Sequence, residues 1–169
     1  MSPRAAWRLE SFGFTEVYDY AAGKADWLAW GLPREGQAAQ VPTVGEVARR
    51  KLATCGLADR VADAKARAQA SGIAACAVVN ERHIVLGLLR SQELETADPA
   101  ANAEQVMRAG PSTYRPNVAA RDAGTRMRER RVDALLVTTP DGALVGLLRR
   151  EDTERAGGAE NAAAGEGQR

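Results

Sequence analysis

The chain has 169 residues, of which 45% are hydrophobic and 27% are charged. This composition is typical of a globular protein with one domain or two small ones. The net charge of +1, from 23 basic and 22 acidic residues, argues against a general affinity for nucleic acid or for an anionic membrane surface. No stretch is as long and apolar as a membrane span requires, and the first residues lack the layout of a secretory signal, so we expect a cytoplasmic location.

Few residues in the sequence are suited to catalysis. Two cysteines, Cys55 and Cys76, are too few for a disulfide framework or a zinc site. The single histidine, His83, argues against a histidine-based triad or metal centre. We therefore expect a non-catalytic protein that requires no metal ion and no cofactor.

Residues 1–36 contain most of the aromatic side chains. The sequence predicts a helix that Gly13 ends, a strand around Val17–Tyr20, and a second helix that ends before Gly31. We expect a short helix-strand-helix appendage, followed by a linker at residues 37–42. The aromatic residues are Trp7, Phe12, Phe14, Tyr18, Tyr20, Trp27 and Trp30.

This segment resembles the C-terminal third of a rhodanese-like domain. In rhodaneses the catalytic cysteine lies in an anion-binding loop just before this region, so the resemblance places such a loop upstream of Met1. Neither Cys55 nor Cys76 has that setting, so we expect no sulfurtransferase activity from this chain, although a longer natural protein could carry the site. The resemblance rests on Ala5-Ala6, Leu9, Gly13-Phe14, Val17, Gly23, Trp27 and Gly31-Leu32-Pro33.

The rest of the chain contains an internal repeat. Residues 43–97 align without a gap with residues 102–156 at a shift of 59 positions. Arg49 then matches Arg108, and the run GLLR occurs at the same place in both copies. The matches follow one hydrophobic pattern, which indicates a duplication. A unit of this size cannot cover both faces of a sheet, so the two copies should pack against each other.

Each copy predicts the same order of elements: a short helix, a strand, a longer helix, a hairpin of two strands and a final short helix. The second hairpin has strong turn residues, Pro140-Asp141-Gly142. The predicted short helices are Val44–Arg49 and Ala103–Arg108, and the strands that follow them end near Thr54 and Thr113. The longer helices have buried faces at Val61, Ala64 and Ala68, where Gly72 stops the helix, and at Ala120, Ala123 and Met127. The hairpin strands are Ala75–Val79, Ile84–Leu89, Ala134–Thr138 and Leu144–Leu148.

This order resembles the tandem cystathionine-beta-synthase (CBS) domain pair, or Bateman module, over about two-thirds of the chain. Family members carry Gly, two apolar residues, Ser or Thr, two variable residues and Asp; here the runs are Gly87-Leu-Leu-Arg-Ser-Gln-Glu93 and Gly146-Leu-Leu-Arg-Arg-Glu-Asp152. The resemblance implies an α/β (α+β) fold with two CBS motifs packed as one module, at residues 43–98 and 99–156. Residues 157–169 lack large apolar side chains, and we predict a disordered tail there.

The resemblance also implies a function, because the cleft between paired CBS motifs binds adenosine-containing ligands in the family. We expect a regulatory or sensor module for AMP, ADP, ATP or another adenosyl ligand. Asp152 matches the position of the ribose-binding aspartate and Glu93 is its longer counterpart, so we expect the better site in the second motif. The predicted ligand-binding residues are Asp152, Arg149, Thr113, Thr54, Glu93, Arg90 and Arg131, with the threonines placed beside the adenine.

Arginine occupies the family's Ser or Thr position in both motifs, at Arg90 and Arg149. Two interpretations remain open. These side chains either bind a phosphate group through charge-assisted hydrogen bonds, or they fill the cleft by pairing with Glu93 or Asp152 and leave no ligand site. Arg131, at the end of the second longer helix, is a weaker phosphate candidate.

The resemblance further implies a homodimer, because family modules commonly associate through helices that flank the sheets. The small residues Ala64, Ala68 and Ala123, together with Met127, are the predicted contacts. We expect neither nucleic acid nor a membrane as a partner. Two alternatives to a sensor remain open: a fragment of a CBS-regulated rhodanese-like sulfurtransferase, and a ligand-free dimerisation module.

Overall fold

The computed structural model describes residues 2–156, and the predicted disordered tail at 157–169 lies outside the described residues. The helices are α1 Ser2–Ser11, α2 Gly23–Ala29, α3 Val44–Val47, α4 Val61–Ser71, α5 Ser91–Thr96, α6 Ala103–Val106, α7 Ala120–Glu129 and α8 at 150–156, with a 3-10 turn at Gln37–Gln40. The strands are β1 Ala53–Cys55, β2 Ala75–Val79, β3 Val85–Arg90, β4 Arg108–Ala109, β5 Thr113–Tyr114, β6 Ala134–Thr138 and β7 Leu144–Arg149.

Each motif contributes a sheet of the same topology. In the first sheet, β1 runs parallel to β2, which forms an antiparallel hairpin with β3. In the second, β5, β6 and β7 repeat this arrangement. Both hairpins also have a register irregularity at corresponding positions, after Val78 and after Val137. The predicted α/β fold of two repeated motifs is therefore confirmed.

The two longer helices bury the faces that the sequence predicts. In α4, Ala64 and Ala68 are 0% and 2% exposed, and in α7, Ala123 and Met127 are 0% and 1% exposed. All four pack in cores of their own motifs. The prediction that they form dimer contacts is wrong, because side chains buried within one chain cannot reach a second copy.

The short helices α3 and α6 pack on the opposite motif. Val44 of α3 lies in the core of the second motif, whereas Ala103 of α6 lies in the core of the first. After each short helix, the chain continues along the other motif's hairpin: Arg49 forms a β-bridge with Leu147, and Arg108 pairs with Leu88 in the β3–β4 ladder. The two copies thus exchange their leading segments, which ties the motifs into one module.

The repeated run GLLR begins with a glycine in both copies, at the place where the exchanged segment crosses the hairpin. A Cβ added at Gly146 would lie 2.6 Å from the carbonyl oxygen of Arg49, closer than real Cβ atoms come. At the matching Gly87, the crowding atoms belong to the side chain of Met107. A third apolar core, between the sheets, contains Leu52, Ile73, Ala75, Ala77, Val79, Leu88, Leu136 and Leu147.

The predicted strand at Val17–Tyr20 is wrong, since this stretch has irregular backbone between α1 and α2. A strand is stable only where its N–H and C=O groups pair with a neighbouring strand. The stretch pairs with none of the described strands, and both sheets are built from strands after residue 52. The two helices form as predicted, and Gly13 and Gly31 follow them with φ of +92° and +68°.

None of the helices in the described part of the chain combines the length and the apolar character that crossing a membrane requires.

Candidate functional site

A cleft of about 650 Å³ opens where the two motifs meet. This volume falls in the usual range for small-molecule sites. Its walls are built from matching positions of the two copies, 59 residues apart, so both motifs contribute similar surfaces. The matching pairs include Ile73 with Val132, Ala75 with Ala134, Leu88 with Leu147, and Arg90 with Arg149.

Three of the predicted ligand-binding residues, Arg90, Arg131 and Arg149, line this cleft. Among the described residues, the guanidinium of Arg90 makes no ion pair, and Nη1 of Arg149 lies 3.5 Å from Oε1 of Glu151. Neither guanidinium pairs with Glu93 or Asp152. In the structure these arginines thus do not close the cleft by pairing with Glu93 or Asp152, and phosphate binding by them remains a prediction.

Arg131 has an unusual backbone. Its φ is +53°, in the left-handed region, where its counterpart in the first motif is Gly72 with φ of +70°. An L-residue in this region costs about 1–2 kcal/mol, whereas glycine adopts it freely. The residue lies two positions after the end of α7, where the amide of Val132 donates to the carbonyl of Met127 at 2.9 Å. A strained arginine therefore stands at the cleft wall where the first motif has glycine.

Asp152 is held by an arginine that the sequence did not single out as a site residue. Nε of Arg49 donates to Oδ2 of Asp152 at 2.9 Å, and Nη2 of Arg49 donates to Oδ1 at 2.9 Å. Asp152 is 8% exposed. The hydrogen bond to Asp152 is the main reason why the pKa of Arg49 is raised above its usual value.

Glu93 has the matching partner in the first motif. Nε of Arg108 donates to Oε1 of Glu93 at 2.7 Å, and the amide of Arg90 donates to Oε2 at 3.0 Å. Burial tends to raise the pKa of Glu93, but the hydrogen bonds from Arg108 and from the Arg90 amide outweigh it and hold that pKa below its usual value. Both predicted ribose-binding carboxylates are thus ion-paired with arginines of the exchanged segments.

The match between Arg49 and Arg108 across the repeat was the available signal for these partners. A charged residue that occurs at the same position of both copies, outside their hydrophobic pattern, indicates that both copies form the same ionic contact. The sequence alone could not say with which carboxylates, because each ion pair joins residues of different motifs.

The two predicted threonines lie elsewhere. Thr54 is half-buried in β1, where its carbonyl accepts a hydrogen bond from Nη1 of Arg67 at 3.1 Å. Thr113 is exposed in β5. Neither contributes to the cleft wall, so their contact with an adenine ring remains a prediction.

A second cavity of about 610 Å³ lies between α2 and the second motif. Trp27, Leu28 and Val41 form much of its wall, and none of the predicted site residues reaches it. Arg34 and Arg50 hold the appendage beside it: Arg34 forms an ion pair with Glu46 at 2.7 Å, and Arg50 Nη2 donates to the carbonyl of Ala29 at 2.8 Å. Within residues 2–156, no three His, Cys, Asp or Glu side chains are grouped to hold a metal ion.

Comparison with family models identifies a CBS domain at residues 103–156. No curated protein matches the sequence.

Three solved structures illustrate the similarity of the fold. The cytosolic domain of the Mg2+ channel MgtE in complex with ATP matches with a TM-score of 0.62 and 18% identity, over 70% of this chain and 50% of that one. The CBS domain pair of protein MJ0100, in complex with 5-methylthioadenosine and S-adenosyl-L-methionine, matches with a TM-score of 0.61 and 16% identity. This match covers 71% of the present chain and 98% of that one. CBSX2 in complex with AMP matches with a TM-score of 0.62 and 21% identity, over 70% of the present chain and 97% of that one.

The chain thus has the fold of a tandem CBS pair. It spans about half the length of the first of these structures. The resemblance of residues 1–36 to a rhodanese-like domain and the proposed domain boundaries remain predictions.

Proposed function

We propose that this chain is a non-catalytic regulatory module that binds an adenosine-containing ligand, such as AMP, ADP or ATP, between its two CBS motifs. The observation that carries the proposal is the cleft of about 650 Å³ with Arg90, Arg131 and Arg149 on its walls. The complexes of MgtE with ATP and of CBSX2 with AMP support the ligand class. A non-catalytic role and a cytoplasmic location belong to the same proposal.

The chemistry of the cleft fits a nucleotide. Leu88 and Leu147, with their apolar neighbours, offer a surface for a planar base, and the arginines offer charge-assisted hydrogen bonds to phosphate. Arg131 supports this assignment further, because backbone strain at a cleft residue is typical of functional sites. Asp152 would accept hydrogen bonds from the ribose hydroxyls, and Glu93 would do so less well because of its extra methylene.

Isothermal titration of the full chain with AMP, ATP, NAD and S-adenosylmethionine tests the proposal. We expect saturable binding of at least one nucleotide, weakened about tenfold or more by Arg90→Gln and by Arg149→Gln, since each loses a charged hydrogen bond. Arg128→Gln is the matched control, because Arg128 is exposed on α7 and does not line the cleft. No heat with any of the ligands would rule out the sensor.

A ligand-free interaction module is the second candidate, and one observation favours it: Glu93 and Asp152 already have ionic partners. This candidate includes the proposed homodimer, whose surface remains to be located. Light scattering that gives about twice the chain mass of 18.0 kDa, with and without nucleotide, would favour it.

The interpretation of residues 1–36 as the end of a rhodanese-like domain makes the chain a fragment of a regulated sulfurtransferase. The coding sequence upstream of Met1 tests this directly. A reactive cysteine in a loop just before the first helix would support it, and an upstream stop codon would exclude it.

A further inference from the structure

A chain of charged groups connects the cleft to Asp152. Nη2 of Arg49 donates to Oε1 of Glu151 at 2.6 Å as well as to Oδ1 of Asp152 at 2.9 Å. Oε1 of Glu151 also accepts a hydrogen bond from Nη1 of Arg149 at 3.5 Å. Arg149 and Glu151 line the cleft, whereas Asp152 does not. Arg49 therefore occupies the position between the cleft wall and the carboxylate that the proposed ligand would use.

The first motif lacks this extra contact. Arg108 holds Glu93, but Gln92 stands at the position that corresponds to Glu151. A neutral amide cannot hold an arginine by an ion pair, and Arg90 makes no ion pair with any described residue. The arginine of the second motif's site is thus bound by two carboxylates and that of the first motif by one.

We propose that Arg49 acts as a gate: it covers Asp152 until a phosphorylated nucleoside binds, and it thereby selects phosphorylated nucleosides over bare nucleosides. This inference rests on the proposed function. Both carboxylate oxygens of Asp152 accept hydrogen bonds from Arg49. Because Asp152 is only 8% exposed and Arg49 bridges both of its oxygens, a ribose diol can lie against the two oxygens side by side only after Arg49 has moved away. The displaced guanidinium keeps Glu151, which it shares with Arg149, so a further anion beside it would stabilise the displaced position.

A phosphate group supplies that anion, and a bare nucleoside does not. In the closed state, Arg49 has only Glu151 as a further partner, and Glu151 also contacts Arg149. A phosphate that binds Arg149 in the cleft would lie next to Arg49 and attract it away from Asp152. Adenosine has no phosphate to bind the displaced Arg49. Its apparent affinity is therefore its intrinsic affinity multiplied by the small fraction of molecules in which Arg49 has already moved away from Asp152.

The test compares AMP with adenosine on the full chain by isothermal titration. In Arg49→Gln, we expect adenosine to bind about tenfold more tightly than in wild type, while AMP gains less, so that the ratio of the two affinities narrows. Glu151→Gln should raise the affinity for adenosine by a smaller factor, because it removes one of the two carboxylates that hold Arg49; only adenosine is compared in this variant, since Glu151 also contacts Arg149. Arg108→Gln is the matched control in the first motif and should leave the ratio at the Asp152 site unchanged.

The possible results distinguish failure of the gating role of Arg49 from failure of the proposed nucleotide binding. If AMP binds but adenosine affinity is unchanged or lower in both Arg49→Gln and Glu151→Gln, the gate is overturned and the sensor stands. If no form binds AMP, the proposed function is overturned and the gate with it. Should Arg49→Gln prove unfolded by circular dichroism, Glu151→Gln decides, because it leaves the contact between Arg49 and Asp152 intact.

Discussion

Ile84 forms a β-bridge with Ala143, the residue that corresponds to it 59 positions later. The surrounding hydrogen bonds are reciprocal: the amide of Val85 donates to the carbonyl of Gly142 and the amide of Leu144 donates to the carbonyl of His83, both at 3.0 Å. Residues at matching positions of two copies can pair with each other reciprocally only beside a twofold axis that relates the copies. The two motifs are thus related by a pseudo-twofold axis, and the exchange of α3 and α6 follows the same symmetry.

Gly146→Ala should destabilise the protein by about 1–3 kcal/mol, the usual scale for overpacking. The added Cβ would meet the backbone oxygen of Arg49 at 2.6 Å, and a backbone that is paired with β7 cannot easily move. Gly87→Ala is the matched control and should cost less, because Met107 can adopt another rotamer. Urea unfolding of both variants checks the order, and equal losses would contradict it.

Arg131→Gly should raise stability by about 1 kcal/mol while weakening nucleotide binding. Glycine removes the left-handed strain at φ of +53°, but it also removes a charge from the cleft. Arg130→Gly serves as the control: Arg130 has φ of −89°, so glycine relieves nothing there and should destabilise. Thermal melts and titrations together test this, and a destabilised Arg131→Gly variant would be evidence against the strain.

Glu93 should make stability depend on pH in the acid range. Its pKa in the folded protein lies below the usual value, so its contribution to stability is fully present above about pH 4.3 and is lost as the pH falls through the lowered pKa. Wild type should therefore lose more free energy of unfolding than Glu93→Gln between about pH 5 and pH 3. Parallel pH profiles would show that Arg108 does not stabilise the ionised carboxylate.

Arg108→Gln should move the pKa of Glu93 upwards, because the variant loses the side-chain hydrogen bond that lowers it while the burial that raises it remains. Nuclear magnetic resonance titration of the Glu93 carboxyl carbon measures this shift. Arg67→Gln is a suitable control, since Arg67 pairs with Asp59 instead. An unchanged Glu93 titration in Arg108→Gln would contradict the structure of this ion pair.

Asp152→Asn should weaken nucleotide binding by about 1–3 kcal/mol, the scale for loss of a charged hydrogen-bond partner. Glu93→Gln should weaken it less, because the extra methylene already moves that carboxylate away from a position suited to a ribose diol. Equal losses in the two variants, measured by titration with AMP, would contradict the assignment of the better site to the second motif.

The local elements could be read from the sequence because their causes lie within a few residues. The spacing of Val61, Ala64 and Ala68 defines one helix face, Gly72 ends that helix, and the alternation of apolar residues with turn residues produces each hairpin. The gapless repeat then required that both motifs fold alike. The arginines of the cleft also followed, since Arg90 and Arg149 occupy one position of the same repeated motif.

Contacts between distant segments were decided only by the tertiary structure. The spacing at Val17–Tyr20 resembles a strand, but a strand forms only where it pairs with a neighbouring strand, and sequence spacing does not reveal whether the fold brings the two together. Arg49 and Arg108 were visible as a repeated pair, yet their partners depend on which motif each leading segment crosses. That choice follows from the packing of Val44 and Ala103 into opposite cores, where burying apolar surface across the pseudo-twofold axis brings each arginine to the other motif's carboxylate.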